Sequence, residues 1–72
     1  MSSRVQSLVF DRDLFNEVEA ITWALDHHYS ARKIEVKPNT IRLRQHAPDK
    51  SKRYRAKKLG RYGVTLVLEF DD

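Results

Sequence analysis

The chain has 72 residues, no cysteine and a formal net charge of +4, from 14 basic and 10 acidic side chains. This length allows one small domain, and the lack of cysteine excludes disulfides and thiolate metal sites. No apolar run approaches the roughly 20 residues that span a bilayer, and no signal peptide is recognisable. We therefore expect an intracellular protein that does not bind membranes.

The charge is unevenly distributed along the chain. Residues 1–31 carry two arginines against five acids, whereas residues 32–63 carry twelve basic side chains against two acids. Residues 50–62 alone hold seven of these cations, no acid and two interleaved tyrosines. Positive charge concentrated beside aromatic rings favours a polyanionic partner such as nucleic acid.

The first part of the chain predicts a strand followed by a helix. Residues 5–10 have the sequence of a strand, Val-Gln-Ser-Leu-Val-Phe. The helix begins after Asn16, because Asn16 and Glu19 have the spacing of a capping box. Its apolar side chains recur at spacings of three and four residues, which is typical of a buried stripe. We expect this stripe to consist of Val18, Ile21, Leu25 and His28 or Tyr29, widened by Ala20, Trp23 and Ala24.

Residues 33–46 predict a β-hairpin. Apolar and charged residues alternate on both sides of Pro38-Asn39, and this dipeptide supplies the turn chemistry. Alternation of this kind gives one core face and one basic face. The inward positions are Ile34, Val36, Ile41 and Leu43.

The last part of the chain predicts one or two further strands. Residues 53–59 fit either a short helical turn or an extended edge strand studded with charge, and we favour the extended form. Gly60 and Gly63 bracket a tight connection into a strand at residues 64–70. Val67 is apolar on the outward side of that strand, which indicates a central position in the sheet.

The order of these elements predicts an α+β fold with two layers, in which one helix packs on a small, mostly antiparallel sheet. The pattern is β-α-β-β with one or two further strands. We expect one domain over residues 5–70, a flexible N-terminus over residues 1–4 and an acidic C-terminal end at residues 71–72.

The basic residues of the hairpin and of residues 50–62 are the candidate nucleic-acid site. Alternation places the cations of the hairpin on the sheet face opposite the helix, and we expect residues 50–62 to form one edge of that same face. Arginines two positions apart on a strand lie about 6.6–7 Å apart, close to the spacing of successive phosphates. A plain solvated surface remains an alternative. The candidate residues are Lys33, Lys37, Arg42, Arg44, Lys52, Arg53, Tyr54, Arg55, Lys57, Lys58 and Arg61.

No catalytic or metal-binding constellation is recognisable in the sequence. His27 and His28 are adjacent, so they lack the spacing of three or four residues that a metal pair on one helix face requires. Favourable interaction with the negative end of the helix dipole explains them better. Asp11 and Asp13 have no nucleophile or base nearby and fit a turn. We therefore expect a protein that is not an enzyme and that uses no metal or cofactor.

Several short motifs follow one another in a distinctive order. They are Phe10 at the end of a strand, Ala20 and Trp23 in the helix, His27 near its end, Asn-Thr-Ile-Arg-Leu-Arg-Gln at residues 39–45, and Tyr-Arg-Ala-Lys-Lys-Leu-Gly at residues 54–60. In this order the chain resembles, over residues 5–70, a small α/β domain of tailed phages and large DNA viruses, sometimes attached to capsid-maturation protease or head proteins. The resemblance departs at His28, where related sequences tend to have glycine.

The resemblance implies a viral or phage accessory domain located in the host cytoplasm or the virion, and it implies no established chemistry. Combined with the basic residues, it leads us to expect nonspecific binding of DNA or RNA through a basic sheet face. The alternative is a protein-interaction or virion-assembly module. Such a module would dock an acidic viral or host protein, or self-associate into a homo-oligomer.

Overall fold

A computed structural model describes residues 3–59 and 63–70 of the chain. The elements in chain order are β1 (Ser3–Asp11), α1 (Glu17–Asp26), β2 (Lys33–Val36), β3 (Thr40–Arg44), β4 (Arg53–Lys58) and β5 (Val64–Phe70). The strands form one sheet in the order β2-β3-β1-β5-β4, and every neighbouring pair is antiparallel. The helix packs on one face of this sheet. The predicted two-layer α+β fold is therefore confirmed.

The core lies between α1 and the middle of the sheet. Leu8 of β1 is directly opposite Leu43 on one side and Leu66 on the other. Directly paired residues point to the same face of a sheet, so these side chains define the face that carries α1, which we call the helix face. The opposite side is the open face. The fully buried side chains of the core include Leu8, Phe10, Ala20, Ala24, Ile41 and Leu43.

The start of α1 follows the predicted capping box. The Asn16 side-chain oxygen accepts a hydrogen bond from the Glu19 backbone N–H at 2.8 Å, and Glu19 Oε1 accepts one from the Asn16 N–H at 3.0 Å. The cap satisfies a backbone donor that lacks a partner in the first helical turn, and it stabilises the helix by about 1 kcal/mol.

The predicted buried stripe of α1 is wrong on one side. Val18 and Leu25 are 71% and 57% exposed, whereas Ala20 and Ala24 are fully buried. The two alanines let the helix backbone approach the sheet closely. Trp23 packs against the core, and its ring lies edge-on to the Phe10 ring with 5.7 Å between centroids. The helix therefore contacts the sheet through Ala20, Ala24 and Trp23 and leaves Val18 and Leu25 in solvent.

The helix ends in a Schellman motif centred on His28. The Tyr29 N–H donates to the Ala24 carbonyl at 2.8 Å, and the His28 N–H donates to the Leu25 carbonyl at 3.1 Å. Tyr29 also stacks parallel to Trp23, which supplies the apolar contact that accompanies this motif. His28 has a φ of 65°. Glycine is the usual residue here, and a side chain in this left-handed conformation costs about 1 kcal/mol.

The C-terminal half of the sheet agrees with the extended form predicted for β4 and with the central position predicted for β5. β5 lies between β1 and β4. Gly63, just before β5, has a φ of 73°, which a glycine adopts without strain. The described part of the chain contains no helix long and apolar enough to cross a membrane. Predictions for residues 1–2, 60–62 and 71–72 lie outside the described residues.

Candidate nucleic-acid interface

Four of the predicted site residues lie together on the open face. Lys33 of β2 is directly opposite Arg44 of β3. Arg42 shares the face of Arg44, and Lys37 follows β2 at the same alternation. The two lysines are exposed and the two arginines are half-buried. We call Lys33, Lys37, Arg42 and Arg44 the β2–β3 strip.

One acid, Glu35, lies within the β2–β3 strip. Arg44 Nη2 is 3.0 Å from Glu35 Oε1, and the two side chains are 38% and 39% exposed. Water screens a pair with this exposure, so it adds little to the free energy of folding. Its consequence is geometric, because it holds the Arg44 guanidinium in place. Among described residues, Lys33, Lys37 and Arg42 have no ion-pair partner.

Three other predicted site residues lie on the opposite face, which corrects the expectation of a single basic surface. Arg53, Arg55 and Lys57 are each paired with a β5 residue of the helix face, as Lys57 is with Leu66. All three are exposed at the edge of the sheet. We call them the β4 row. The β2–β3 strip and the β4 row are therefore separated by the thickness of the sheet and by its width.

The remaining predicted site residues are dispersed. Tyr54 and Lys58 alternate with the β4 row and lie on the open face. Lys52 lies in the loop before β4, and Arg61 falls outside the described residues. The Tyr54 hydroxyl donates to the Asp49 backbone carbonyl at 2.9 Å. The ring is half-buried in this contact, so Tyr54 fixes a loop more than it offers a stacking surface.

The centre of the open face carries small side chains. Arg42 is opposite Val9, Val9 is opposite Thr65, and Thr65 is opposite Lys58. With strands about 4.8 Å apart, about 14 Å separates the backbones of Arg42 and Lys58. The face is therefore a floor of small side chains with cations on both sides, and an extended polyanion fits such a floor.

A buried carboxylate at one end of this face was not predictable from the sequence. Glu69 is 3% exposed. Its oxygens lie 3.4 Å from Arg4 Nη2, from His46 Nε2 and from the Tyr54 hydroxyl. These partners come from three other parts of the chain. No local signal distinguishes Glu69 from a solvated outward position on a strand.

The loop that covers Glu69 is closed by a turn at Asp49. Asp49 Oδ1 accepts hydrogen bonds from the Ser51 hydroxyl at 2.7 Å and from the Ser51 N–H at 2.9 Å. The hydroxyl bond is the main cause that lowers the pKa of Asp49, and the backbone bond adds to it. The stabilisation by the ionised carboxylate is thus present at neutral pH and is lost as pH falls through that lowered pKa.

His27 and the N-terminal acids have structural partners. His27 stacks on Trp23 with 3.8 Å between ring centroids, and its Nδ1 lies 2.7 Å from the Trp23 carbonyl oxygen. The Asp13 N–H donates to Asp11 Oδ1 at 2.9 Å, as a turn requires. In residues 3–59 and 63–70, no group of three or more histidines and acids could hold a metal ion.

Fold and surface together define a small α+β protein with one sheet face that is basic at its β2–β3 side. No family model, curated protein or solved structure matches the chain.

Proposed function

We propose that this protein is a small, non-enzymatic domain that binds nucleic acid without sequence preference through the β2–β3 strip. The observation that carries the proposal is the gathering of four cations, three on the neighbouring strands β2 and β3 and Lys37 directly after β2, with a single acid among them. Phosphate contacts supply nonspecific affinity, and they need fixed cations more than they need base-reading side chains.

The floor beside the strip supports an extended ligand. Arg42 and Lys58 lie at opposite ends of a row whose middle positions are Val9 and Thr65. A single strand laid along the β2–β3 strip meets cations at roughly the spacing of its phosphates. The β4 row faces the other way, so a strand that contacts only the β2–β3 strip does not meet it.

Fluorescence polarisation with labelled oligonucleotides of about 15 nucleotides, as single- and double-stranded DNA and RNA, tests this proposal. With about four phosphate contacts on a single strand, we expect affinity to fall about 50-fold between about 50 and 200 mM salt. Binding that is absent at low salt, or that does not respond to salt, contradicts the proposed function.

A matched pair of variants tests the surface. Lys37→Gln with Arg42→Gln removes two charges from the β2–β3 strip, and Arg55→Gln with Lys57→Gln removes two from the β4 row. We expect the first pair to weaken binding at least tenfold at about 50 mM salt and the second less than threefold. A larger loss in the second pair moves the interface to the β4 row.

Docking of an acidic protein or of a second copy is the second candidate function. The exposed apolar flank of α1 favours it, because Val18 is 71% exposed and Leu25 is 57% exposed. The opposite charges of the acidic helix and the basic β4 row also favour it. The resemblance to phage head-associated domains would place such docking in virion assembly.

We expect Val18→Lys with Leu25→Lys to abolish any dimer seen by sedimentation at high concentration. A wild-type monomer under those conditions excludes self-association.

A further inference from the structure

A basic pocket lies at one end of the β2–β3 strip. Its volume is about 610 Å³, within the range of small-ligand sites. It lies between residues 28–32, which lead from α1 into β2, and the end of β3. Among the described residues, every ionisable side chain that lines it, apart from the Tyr29 phenol, is basic: His28, Arg32, Lys33, Arg44 and His46.

The pocket is held open by specific contacts. Gln45 Oε1 accepts a hydrogen bond from the Ser30 N–H at 2.7 Å, and Gln45 Nε2 donates to the Ser30 carbonyl at 2.9 Å. These two hydrogen bonds between the Gln45 side chain and the Ser30 backbone fix the loop against the end of β3. The register of the hairpin then places Lys33 directly opposite Arg44. The cations therefore converge on a preformed concavity.

Two buried nitrogen atoms in the lining lack hydrogen-bond partners. The Arg44 Nε donor and His46 Nε2 are buried without a hydrogen bond, although Arg44 Nη2 is 3.0 Å from Glu35 Oε1 and His46 Nε2 is 3.4 Å from Glu69 Oε2. Buried donors in native proteins are normally satisfied. The backbone of His28 is a third indication of a functional site, because it keeps a strained left-handed conformation at a position where glycine fits better. Backbone strain of this kind persists at functional sites.

We propose that this pocket binds the terminal phosphate of a nucleic acid strand. The inference rests on the proposed function, since the pocket shares Lys33 and Arg44 with the β2–β3 strip. A terminal monoester carries about −1.5 to −2 charge and three acceptor oxygens, more than a phosphodiester offers. A strand that lies along the strip and ends at the loops brings its terminal group to these donors. The pocket therefore selects strand ends, and the strip holds the strand behind them.

Oligonucleotides of one sequence with a 5′-hydroxyl, a 5′-phosphate or a 3′-phosphate test this proposal. In competition with a labelled internal probe, we expect one of the phosphorylated ends to bind about tenfold tighter than the unphosphorylated strand, as one well-placed charged group allows. Equal binding of all three overturns the terminal-phosphate site and leaves the proposed function standing. Binding of none overturns both.

Variants separate a terminal site from the general effect of added charge. His28→Gly with Arg32→Gln removes two groups of the pocket, and glycine suits the left-handed position, so we expect the variant to fold with a thermal midpoint no lower than that of Arg32→Gln alone. The tenfold preference should disappear in this variant. It should persist in Lys37→Gln with Arg42→Gln, where all strands weaken together. A preference that survives the pocket variant overturns the proposal.

Discussion

Phe10→Ala is expected to destabilise the protein by about 3–5 kcal/mol, a large part of its total stability. Phe10 is fully buried at the centre of the sheet, and its ring meets the Phe15 and Trp23 rings at 5.1 and 5.7 Å. A domain of this size has a total stability of only about 4–11 kcal/mol. Loss of this one ring removes the contacts of β1 with Phe15, just before the helix, and with Trp23 near the end of the helix.

Urea unfolding followed by Trp23 fluorescence and by circular dichroism measures this effect. Val9→Ala is the matched control, because Val9 is the neighbour of Phe10 on the open face and is half-buried; we expect a cost of about 1 kcal/mol or less. Phe10→Leu keeps an apolar side chain and should fall between the two. If Phe10→Ala costs no more than Val9→Ala, the core is not where the structure places it.

The elements that local pattern determines were predictable from the sequence. Alternation in residues 33–44 identified both strands of the hairpin. Ile41 and Leu43 are buried as expected, whereas Ile34 and Val36, also expected inward, are 38% and 43% exposed on the edge strand β2. The capping box identified the first turn of α1, because its two hydrogen bonds join residues three apart. In each case the interacting groups are neighbours in sequence, so spacing carries the information.

The face of α1 that packs on the sheet was not predictable in the same way. Apolar residues occupy two overlapping stripes of the helix, one through Val18 and Leu25 and the other through Ala20 and Ala24. A prediction from hydrophobic periodicity favours the stripe with the larger apolar side chains. The sheet instead accepts Ala20 and Ala24, because Phe10 of the sheet and Trp23 of the helix already fill the interlayer space beside them and the helix must approach closely. The requirement for a close approach is set by the sheet and is not encoded in the sequence of the helix.

The split of the basic site has a similar origin. In β4 the cations alternate with Tyr54 and Ala56. The sequence therefore shows that the two sets of side chains lie on opposite faces of the strand, without saying which set faces the helix. The register with β5 decides it, and a slip of one residue would exchange the two faces. The pocket beside the β2–β3 strip likewise depends on the bonds between Ser30 and Gln45, fifteen residues apart.

Glu69→Ala is expected to cost about 2–4 kcal/mol, because it removes a buried carboxylate whose oxygens face Arg4, His46 and the Tyr54 hydroxyl at 3.4 Å. Without the carboxylate, two basic groups and a phenol remain around a small void. Glu69→Gln keeps the shape and the acceptor oxygen and should cost about half as much. Urea unfolding gives both values, and trypsin cleavage at Lys50 and Lys52 should accelerate as the loop loosens.

Removing the charge of Glu69 is expected to strengthen nucleic-acid binding although it lowers the stability of the fold. Glu69 is an acid on the open face, so Glu69→Gln should raise nucleic-acid affinity about twofold while it lowers stability. Glu17→Gln makes the same charge change on the exposed side of α1 and should leave affinity within about 1.5-fold, since screening weakens a charge on the far side of the domain. A stability cost together with higher affinity identifies Glu69 as a group retained for folding at the expense of binding. If affinity instead falls in the fraction that remains folded, the open face is not the surface that holds nucleic acid.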